Sequence, residues 1–148
     1  MELIVFIGIP ASGKSSFYKE RFFNSHVRVS MDLLNTRKKE AAYLDLGFRL
    51  QQRMVVDNTN VTLKDRAVYL QLAKENRYRS IGYFFQSQIA DCLERNRQRP
   101  KVDRITDKGV MAKHHALELP GLAEGFDELW FVALSENGFN ISPWKNEV

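Results

Sequence analysis

The chain has 148 residues, of which 44% are hydrophobic and 27% are charged, and its formal net charge is only +4. This length and balance predict one folded domain, residues 1–148, and exclude the disordered and fibrous classes. No apolar run is long enough to cross a bilayer, and the single cysteine, Cys92, cannot form a disulfide framework, so we expect a cytoplasmic protein without a membrane partner.

The chain begins with a predicted buried strand over residues 3–7, followed by a glycine-rich loop and a helix over residues 16–23. The loop reads Gly-Ile-Pro-Ala-Ser-Gly-Lys-Ser and matches the phosphate-loop pattern, for which the alternative is a chance glycine turn. We expect Lys14 to reach the β- and γ-phosphates of a nucleoside triphosphate and the Ser15 hydroxyl to hold Mg²⁺. The residues predicted to bind the nucleotide here are Gly8, Ala11, Ser12, Gly13, Lys14, Ser15 and Ser16.

Strands and helices alternate along the rest of the chain, which predicts an α/β fold with a parallel sheet of about five strands and helices on both faces. Further strands are predicted at residues 27–30, 54–57, 80–85 and 128–134. Helices are predicted at residues 32–53, 62–76, 89–97 and 106–117, with Thr62 or Asn60 as the cap of the second. The polar ending, residues 136–148, is expected to be a loosely ordered tail.

Two aspartates lie at the ends of predicted strands: Asp57 ends one strand, and Asp32 lies two residues beyond another. Ligands gather at the carboxyl ends of parallel strands, so both aspartates are expected in the cleft with the phosphate loop. Asp32 suits a general base that accepts the proton of an attacking hydroxyl, and the alternative is a helix N-cap. Asp57 suits support of Mg²⁺, and the alternative is an ordinary turn residue. Asn58, Thr59 and Asn60 come next and are candidates for positioning water, metal or substrate, although each is also a good turn former.

A basic segment over residues 95–107 is predicted to form a lid over this cleft. Arg95, Arg97 and Arg99 lie at the end of a predicted helix and the start of the lid. An arginine in such a lid would neutralise the charge that develops on a transferred phosphoryl group. Helical spacing allows at most two of the three to reach phosphate, and the alternative is that they are cations favoured at a helix C-terminus.

Five segments of the chain, in order, resemble the kinase domain of the polynucleotide 5′-hydroxyl kinases, the end-healing enzymes of DNA and RNA repair. The phosphate loop alone is shared by many unrelated NTPases, so the specificity of the resemblance lies in the whole set. The segments are Gly8 to Ser15, Val-Arg-Val-Ser-Met-Asp at 27–32, Val-Val-Asp-Asn-Thr-Asn at 55–60, Arg-Asn-Arg-Gln-Arg at 95–99 and Pro-Gly-Leu-Ala-Glu-Gly-Phe-Asp-Glu-Leu at 120–129.

The resemblance implies a P-loop kinase fold and transfer of the γ-phosphate of ATP, with Mg²⁺, to the 5′-OH end of DNA or RNA. It implies that Asp32 is the general base and that Lys14 and Ser15 serve the ATP·Mg²⁺. It also implies that Arg99, together with Arg95, holds the ATP phosphates.

The chain departs from this family in its acceptor segment. Met31 stands before the base, where the family usually has Arg, and Asn35 stands where some members use an Arg on the 3′-phosphate of the acceptor. Arg37 or Lys38, from the next turn, is the expected substitute for acceptor binding. The phosphatase and ligase modules that often accompany the family domain are not recognised in this sequence, so a separate phosphatase or ligase is an expected partner.

Two other functions share part of this pattern. A small-molecule kinase of the shikimate or gluconate type has the same loop, sheet and lid arginines, but it predicts an enclosed acceptor pocket in place of an open basic groove. A nucleotide-binding switch without kinase activity predicts nucleotide binding and no transfer to a 5′-OH end.

Overall fold

The computed structural model describes every residue from Met1 to Val148 and contains six strands and six α-helices. The strands are β1 (Glu2–Ile7), β2 (Val27–Val29), β3 (Met54–Val56), β4 (Arg79–Phe85), β5 (Glu128–Ser135) and β6 (Gly138–Pro143). The helices are α1 (Lys14–Arg21), α2 (Met31–Leu34), α3 (Arg37–Arg49), α4 (Leu63–Glu75), α5 (Ile89–Gln98) and α6 (Asp107–Ala116). Single turns of 3-10 helix occur at Lys101–Asp103 and Leu122–Glu124. None of the helices has the length and hydrophobicity that crossing a membrane requires.

The strands form one sheet in the order β2-β3-β1-β4-β5-β6, with β1 near its middle. The first five strands of the chain run parallel, and β6 is antiparallel to β5. The predicted α/β fold with a parallel sheet is therefore confirmed. Because β1, β2, β3 and β4 run in the same direction, the loops that follow them all lie at the carboxyl ends of the strands.

Alternate residues of β1 pack on opposite faces of the sheet, as the two-residue period of a strand requires. Leu3, Val5 and Ile7 belong to the core on the face covered by α3 and α4. Ile4 and Phe6 belong to the core on the other face, which α1 covers. All five side chains are at most 1% exposed, and burial on both faces explains the unbroken apolar sequence of this strand.

The single helix predicted over residues 32–53 is two helices in the structure. Asn35 adopts a left-handed conformation with φ 64° and ends α2, which has only four residues. Thr36 then caps α3 by accepting a hydrogen bond from the backbone N–H of Lys39. Asn tolerates the left-handed region and Thr is a good N-cap, so these two neighbours together explain the break. At the next helix, the N-cap is Thr62, one of the two residues predicted for it.

The C-terminal segment, residues 136–148, was predicted as a loosely ordered tail. It instead contributes a sixth strand to the sheet. Gly138 turns the chain with φ 107°, and β6 pairs back onto β5. Phe139 contacts the ring of Phe17 in α1, with 5.1 Å between centroids. Trp144 covers Phe84 of β4, with 4.9 Å between centroids. Two aromatic side chains anchored in the core therefore hold an otherwise polar segment in place.

We expect Trp144→Ala to lower the free energy of unfolding by about 2 kcal/mol, because it uncovers Phe84 and leaves a cavity at a half-buried position. Denaturant titration followed by circular dichroism measures the change. Glu147→Ala, an exposed neighbour, is the control and should unfold like the wild type. Equal midpoints for Trp144→Ala and the wild type would show that Trp144 contributes nothing to stability.

Candidate active site

The phosphate loop connects β1 to α1, and its two glycines are required by its geometry. A Cβ atom on Gly8 would lie 2.7 Å from the Ser12 hydroxyl, which is too close for any real contact. Gly13 caps α1 with φ 101°, a conformation that side chains disfavour. The backbone N–H of Gly8 donates to the carbonyl of Thr59 at 2.9 Å, which ties the loop to the segment after β3.

Lys14 is buried, and its ammonium donates to oxygens of its own loop. The Nζ atom lies 3.0 Å from the Gly8 carbonyl oxygen, 2.9 Å from that of Ile9 and 3.4 Å from the Ser12 hydroxyl. Burial lowers the pKa of Lys14 to about 8, and the carboxylate of Asp57 partly opposes this effect. The oxygens around this ammonium are uncharged, so an anionic phosphate would bind it more strongly than they do.

Asp57 and Ser15 are hydrogen-bonded to each other and to an arginine of β2. The Ser15 hydroxyl donates to Asp57 Oδ2 at 3.0 Å. The Arg28 Nε donates to the same oxygen at 2.8 Å, and the Arg28 Nη2 donates to the Ser15 hydroxyl at 3.1 Å. Asp57 is 4% exposed and Thr62 caps the following helix, so Asp57 is not a helix-starting turn residue.

Arg28 was not a predicted site residue. Its only sequence signal is a charge between two valines in a strand, and a charge on a short strand near the sheet edge is usually a solvated side chain.

The pair Ser15 and Asp57 fits a magnesium ion by its chemistry, since hydroxyl and carboxylate oxygens are the hard ligands that Mg²⁺ prefers. Both hydrogen bonds of the Asp57 carboxylate fall on Oδ2. No group of three or more His, Cys, Asp or Glu side chains could hold a metal by itself. Nucleotide phosphates and water would therefore have to complete the coordination of an ion at this pair, as is usual for Mg²⁺.

Asp32 is the second residue of α2 and does not cap it. The cap is Ser30, whose hydroxyl accepts a hydrogen bond from the backbone N–H of Asp32 at 3.2 Å. Asp32 lines a cleft of about 110 Å³ to which four distant segments contribute. The residues that line this cleft are Pro10, Ala11, Lys14, Ser15, Asp32, Asp57, Asn58, Thr59, Arg99 and Ile105.

The lid arginines separate into two groups. Arg95 reaches the phosphate loop, with Nη1 donating to the Ala11 carbonyl at 3.1 Å, and Arg99 lines the cleft. Arg97 instead pairs with Asp107 at 3.1 Å, on the outside of the lid. Two of the three therefore point to the loop and cleft, which is the number that the helical spacing allows.

The two ends of the lid are joined by Asn96, which sequence reasoning missed. This buried side chain donates to the Ile105 carbonyl, and its Oδ1 accepts from the Ile105 backbone N–H at 3.1 Å. The link holds residues 96 and 105 together, so the segment between them projects as a closed loop. Nothing in the local pattern distinguishes this Asn from an ordinary residue near a helix end.

The residues predicted to bind substrate lie in different places. Asn58 and Thr59 line the cleft, whereas Asn60 does not. Asn60 is buried with φ 46°, and its amide donates to the Phe6 carbonyl at 2.8 Å, so it joins the loop after β3 to β1. The exposed side chain of Asn35 donates only to the nearby Leu33 carbonyl, and Arg37 is paired with Glu40. The predicted nucleotide residue Ser16 is exposed on α1.

A larger cavity, of about 560 Å³, lies at the opposite ends of the strands, beside the start of β4. Its acidic groups already have partners: Asp127 accepts from the backbone N–H of Ser80 at 2.8 Å, and Glu124 pairs with the buried Arg66 at 2.8 Å. No predicted site residue lines it. The smaller cleft, where the phosphate loop and carboxylates meet, is therefore the candidate active site.

A phosphate loop after the first strand of a parallel sheet, an acid at the end of a neighbouring strand and an arginine-bearing lid define a P-loop protein of the kinase type. A family model described as an AAA domain matches residues 3–120. The chain belongs to this family.

Two curated relatives match this chain, and one of the matches covers nearly all of it. A protein of Acanthamoeba polyphaga mimivirus, named as a bifunctional polynucleotide phosphatase/kinase, is 32% identical over 153 residues, which cover 97% of this chain and 36% of the relative. The bifunctional polynucleotide phosphatase/kinase of Schizosaccharomyces pombe is 31% identical over 75 residues, or 50% of this chain and 18% of the relative. The chain thus spans little more than a third of the mimivirus relative. These names confirm the resemblance to polynucleotide kinases that the five segments predicted.

Solved structures confirm the P-loop kinase fold. Kti12 of Chaetomium thermophilum, in complex with ADP-AlF3, superimposes with a TM-score of 0.67 at 18% identity, covering 91% of this chain and 92% of Kti12. A gluconokinase from Sinorhizobium meliloti 1021 gives a TM-score of 0.63 at 16% identity, covering 91% of this chain and 83% of the gluconokinase. At these identities the likeness concerns the fold alone. Family and fold together support nucleotide binding.

We expect the affinity for ATP, measured in EDTA, to fall as the pH rises above about 8. Above the lowered pKa of Lys14 its neutral form predominates, whereas phosphate anions favour the ammonium, so binding must take up a proton. The association constant should fall by up to about tenfold per pH unit. Calorimetric titration between about pH 7 and pH 9.5 measures it. Lys14→Met should bind ATP weakly, with an association constant that does not fall with pH in this way. An ATP association constant of the wild type that stays the same across this pH range would contradict the lowered pKa.

Proposed function

We propose that this chain transfers the γ-phosphate of ATP to the 5′-OH end of a polynucleotide. The observation that carries the proposal is the shared cleft, in which Asp32, Lys14, Asp57 and Arg99 face one space although they come from four separate segments. The name of the mimivirus relative, which matches 97% of the chain, supports a polynucleotide as the acceptor.

In the proposed mechanism the loop and the lid hold the triphosphate from two sides. Backbone N–H groups of the loop and the ammonium of Lys14 bind the β- and γ-phosphates, and Arg95 and Arg99 approach from the lid. Ser15 and Asp57 would hold Mg²⁺, which when bound neutralises charge on the β- and γ-phosphate oxygens. Arg28 keeps the Asp57 carboxylate oriented toward Ser15.

Asp32 accepts the proton of the 5′-hydroxyl as the hydroxyl oxygen attacks the γ-phosphorus. A new P–O bond forms to the acceptor, the bond between the γ-phosphorus and the bridging oxygen breaks, and ADP leaves with that electron pair. Lys14 and Arg99 neutralise the negative charge that develops on the transferred phosphoryl group.

Exposed basic side chains near the cleft support a polyanionic acceptor. Lys38 and Lys39 are exposed in the first turn of α3, the same turn whose Glu40 contacts the cleft residue Asn58. Lys101 and Arg104 are exposed on the lid between the cleft residues at positions 99 and 105. A polyanion bound to these charges should lose affinity steeply with rising salt, whereas the small, singly charged acceptor of a gluconokinase-like enzyme should lose far less.

The proposal includes a cytoplasmic location and cooperation with a phosphatase or a ligase. The mimivirus relative is named for both a phosphatase and a kinase, which supports a phosphatase acting on the same polynucleotides as this domain.

We expect radiolabelled γ-phosphate to be transferred to 5′-OH oligonucleotides and not to 5′-phosphate oligonucleotides. Asp32→Ala should lower the rate about 10²- to 10⁴-fold, because the attacking hydroxyl loses its proton acceptor. Asp45→Ala, which changes an exposed aspartate of α3, is the matched control and should keep wild-type turnover. Normal turnover in Asp32→Ala would remove it from the base role, and transfer to gluconate or shikimate alone would favour the small-molecule kinase.

The lid offers its own matched pair of variants. We expect Arg99→Ala to lower the transfer rate about 10³-fold or more, because the cleft loses a cation that faces the transferred phosphate. Arg97→Ala, in the same lid, removes the exposed ion pairs with Asp107 and Glu94 and should stay near the wild-type rate. Steady-state kinetics with a 5′-OH oligonucleotide compares them, and equal losses in both variants would argue against a specific role of Arg99.

A further inference from the structure

Glu40 is a buried carboxylate for which the proposed mechanism has no use. It is 5% exposed, although it lies in the first turn of α3, where a glutamate would normally be solvated. Burying a carboxylate is costly unless hydrogen bonds compensate for its lost hydration. Three side chains donate to it: Arg37 Nη1 at 3.0 Å to Oε1, Asn58 Nδ2 at 2.9 Å to Oε2, and the Tyr69 hydroxyl at 3.0 Å to both oxygens.

The contact with Asn58 determines which way the amide of Asn58 faces. A carboxylate can only accept, so the Nδ2 side of the amide must point toward Glu40. The Oδ1 side then points to the start of α2, where it accepts a hydrogen bond from the backbone N–H of Met31 at 2.9 Å. Glu40 thus acts, through Asn58, on the residue that directly precedes Asp32.

The position of α2 depends on such outside contacts. This helix has only four residues, none of them fully buried, and only Leu34 at its end packs against the core, so its first turn depends on contacts from outside the helix. Two side-chain contacts hold its first turn: Ser30 accepts from the N–H of Asp32, and Asn58 accepts from the N–H of Met31.

Tyr69 brings a third element, α4, into the same cluster. Its hydroxyl donates to Glu40 and accepts from Asn58 Nδ2 at 3.3 Å and from Arg37 Nη1 at 3.1 Å. Burial, reinforced by the Glu40 carboxylate, raises the pKa of Tyr69 to about 12, so the hydroxyl remains a donor throughout the neutral range.

We infer that Glu40, Tyr69 and Asn58 form a positioning network that holds the first turn of α2, and with it the Asp32 carboxylate, at the cleft. The inference rests on the proposed function in that Asp32 is taken as the base. It assigns the Asn58 amide to the protein itself, in place of a contact with substrate, water or metal. The three are positioning residues, because they act on Asp32 through the backbone of α2.

Glu40→Leu and Glu40→Gln separate positioning from folding. Leu has a similar size and is acceptable at a buried position, but it offers no acceptor to Asn58, whereas Gln keeps one acceptor oxygen. We expect kcat for 5′-OH transfer to fall about tenfold to hundredfold in Glu40→Leu and Asn58→Ala, with the KM for ATP unchanged, because the base is misplaced while the nucleotide site is intact. Glu40→Gln should recover kcat to within about threefold of the wild type.

Amide hydrogen exchange tests the network without using activity. We expect the N–H groups of Met31 and Asp32 to exchange at least about tenfold faster in Glu40→Leu and Asn58→Ala than in the wild type or in Asp45→Ala, the exposed control on the same helix. Wild-type exchange together with wild-type kcat in folded Glu40→Leu and Asn58→Ala would overturn the inference. Faster exchange in a chain that transfers nothing to 5′-OH ends would support the network and refute the proposed function.

Discussion

The burial of one ammonium group determines much of this site. Lys14 donates to three oxygens of its own loop, so the loop conformation and the position of the lysine depend on each other. The two glycines allow the backbone to close around the ammonium, and the loop is in turn tied to the segment after β3 through Gly8. This arrangement keeps a cation in place before any phosphate binds, and preorganised charge of this kind is what phosphoryl transfer requires.

Near this ammonium, the parallel strands bring together negatively and positively charged side chains. Asp57 lies at the end of β3 next to Ser15, and the guanidinium of Arg28 from β2 contacts both. A buried carboxylate is stable here because a hydroxyl and a guanidinium compensate for its lost hydration. The same three side chains join two strands to α1, so the candidate metal pair is part of the packing of the sheet edge and does not depend on a flexible loop.

Two asparagines fix the positions of the lid and of α2. Asn96 joins the ends of the lid, and Asn58 joins the first turn of α2 to Glu40. Both use the two faces of one amide, a donor and an acceptor, to connect backbone segments that packing would leave unconstrained. The segments that carry the proposed base and the proposed lid arginine, both of which line the cleft, are thereby held by buried polar contacts, while the apolar core stabilises the sheet itself.

The sequence by itself determined the phosphate loop, a parallel sheet, a helix cap at Thr62 or Asn60 and the placement of Asp32 and Asp57 at or just beyond strand ends, because each is indicated by a pattern of residues near one another in the chain. It did not reveal Arg28, Glu40 or Asn96, or the strand β6. Arg28 and Asp57 are 29 positions apart, as are Glu40 and Tyr69, so no local pattern records their contacts. The polar ending likewise became a strand only because Phe139 and Trp144 find aromatic partners in distant elements. Tertiary structure decided which polar side chains are buried, and burial is what turns an ordinary Glu or Arg into part of a site.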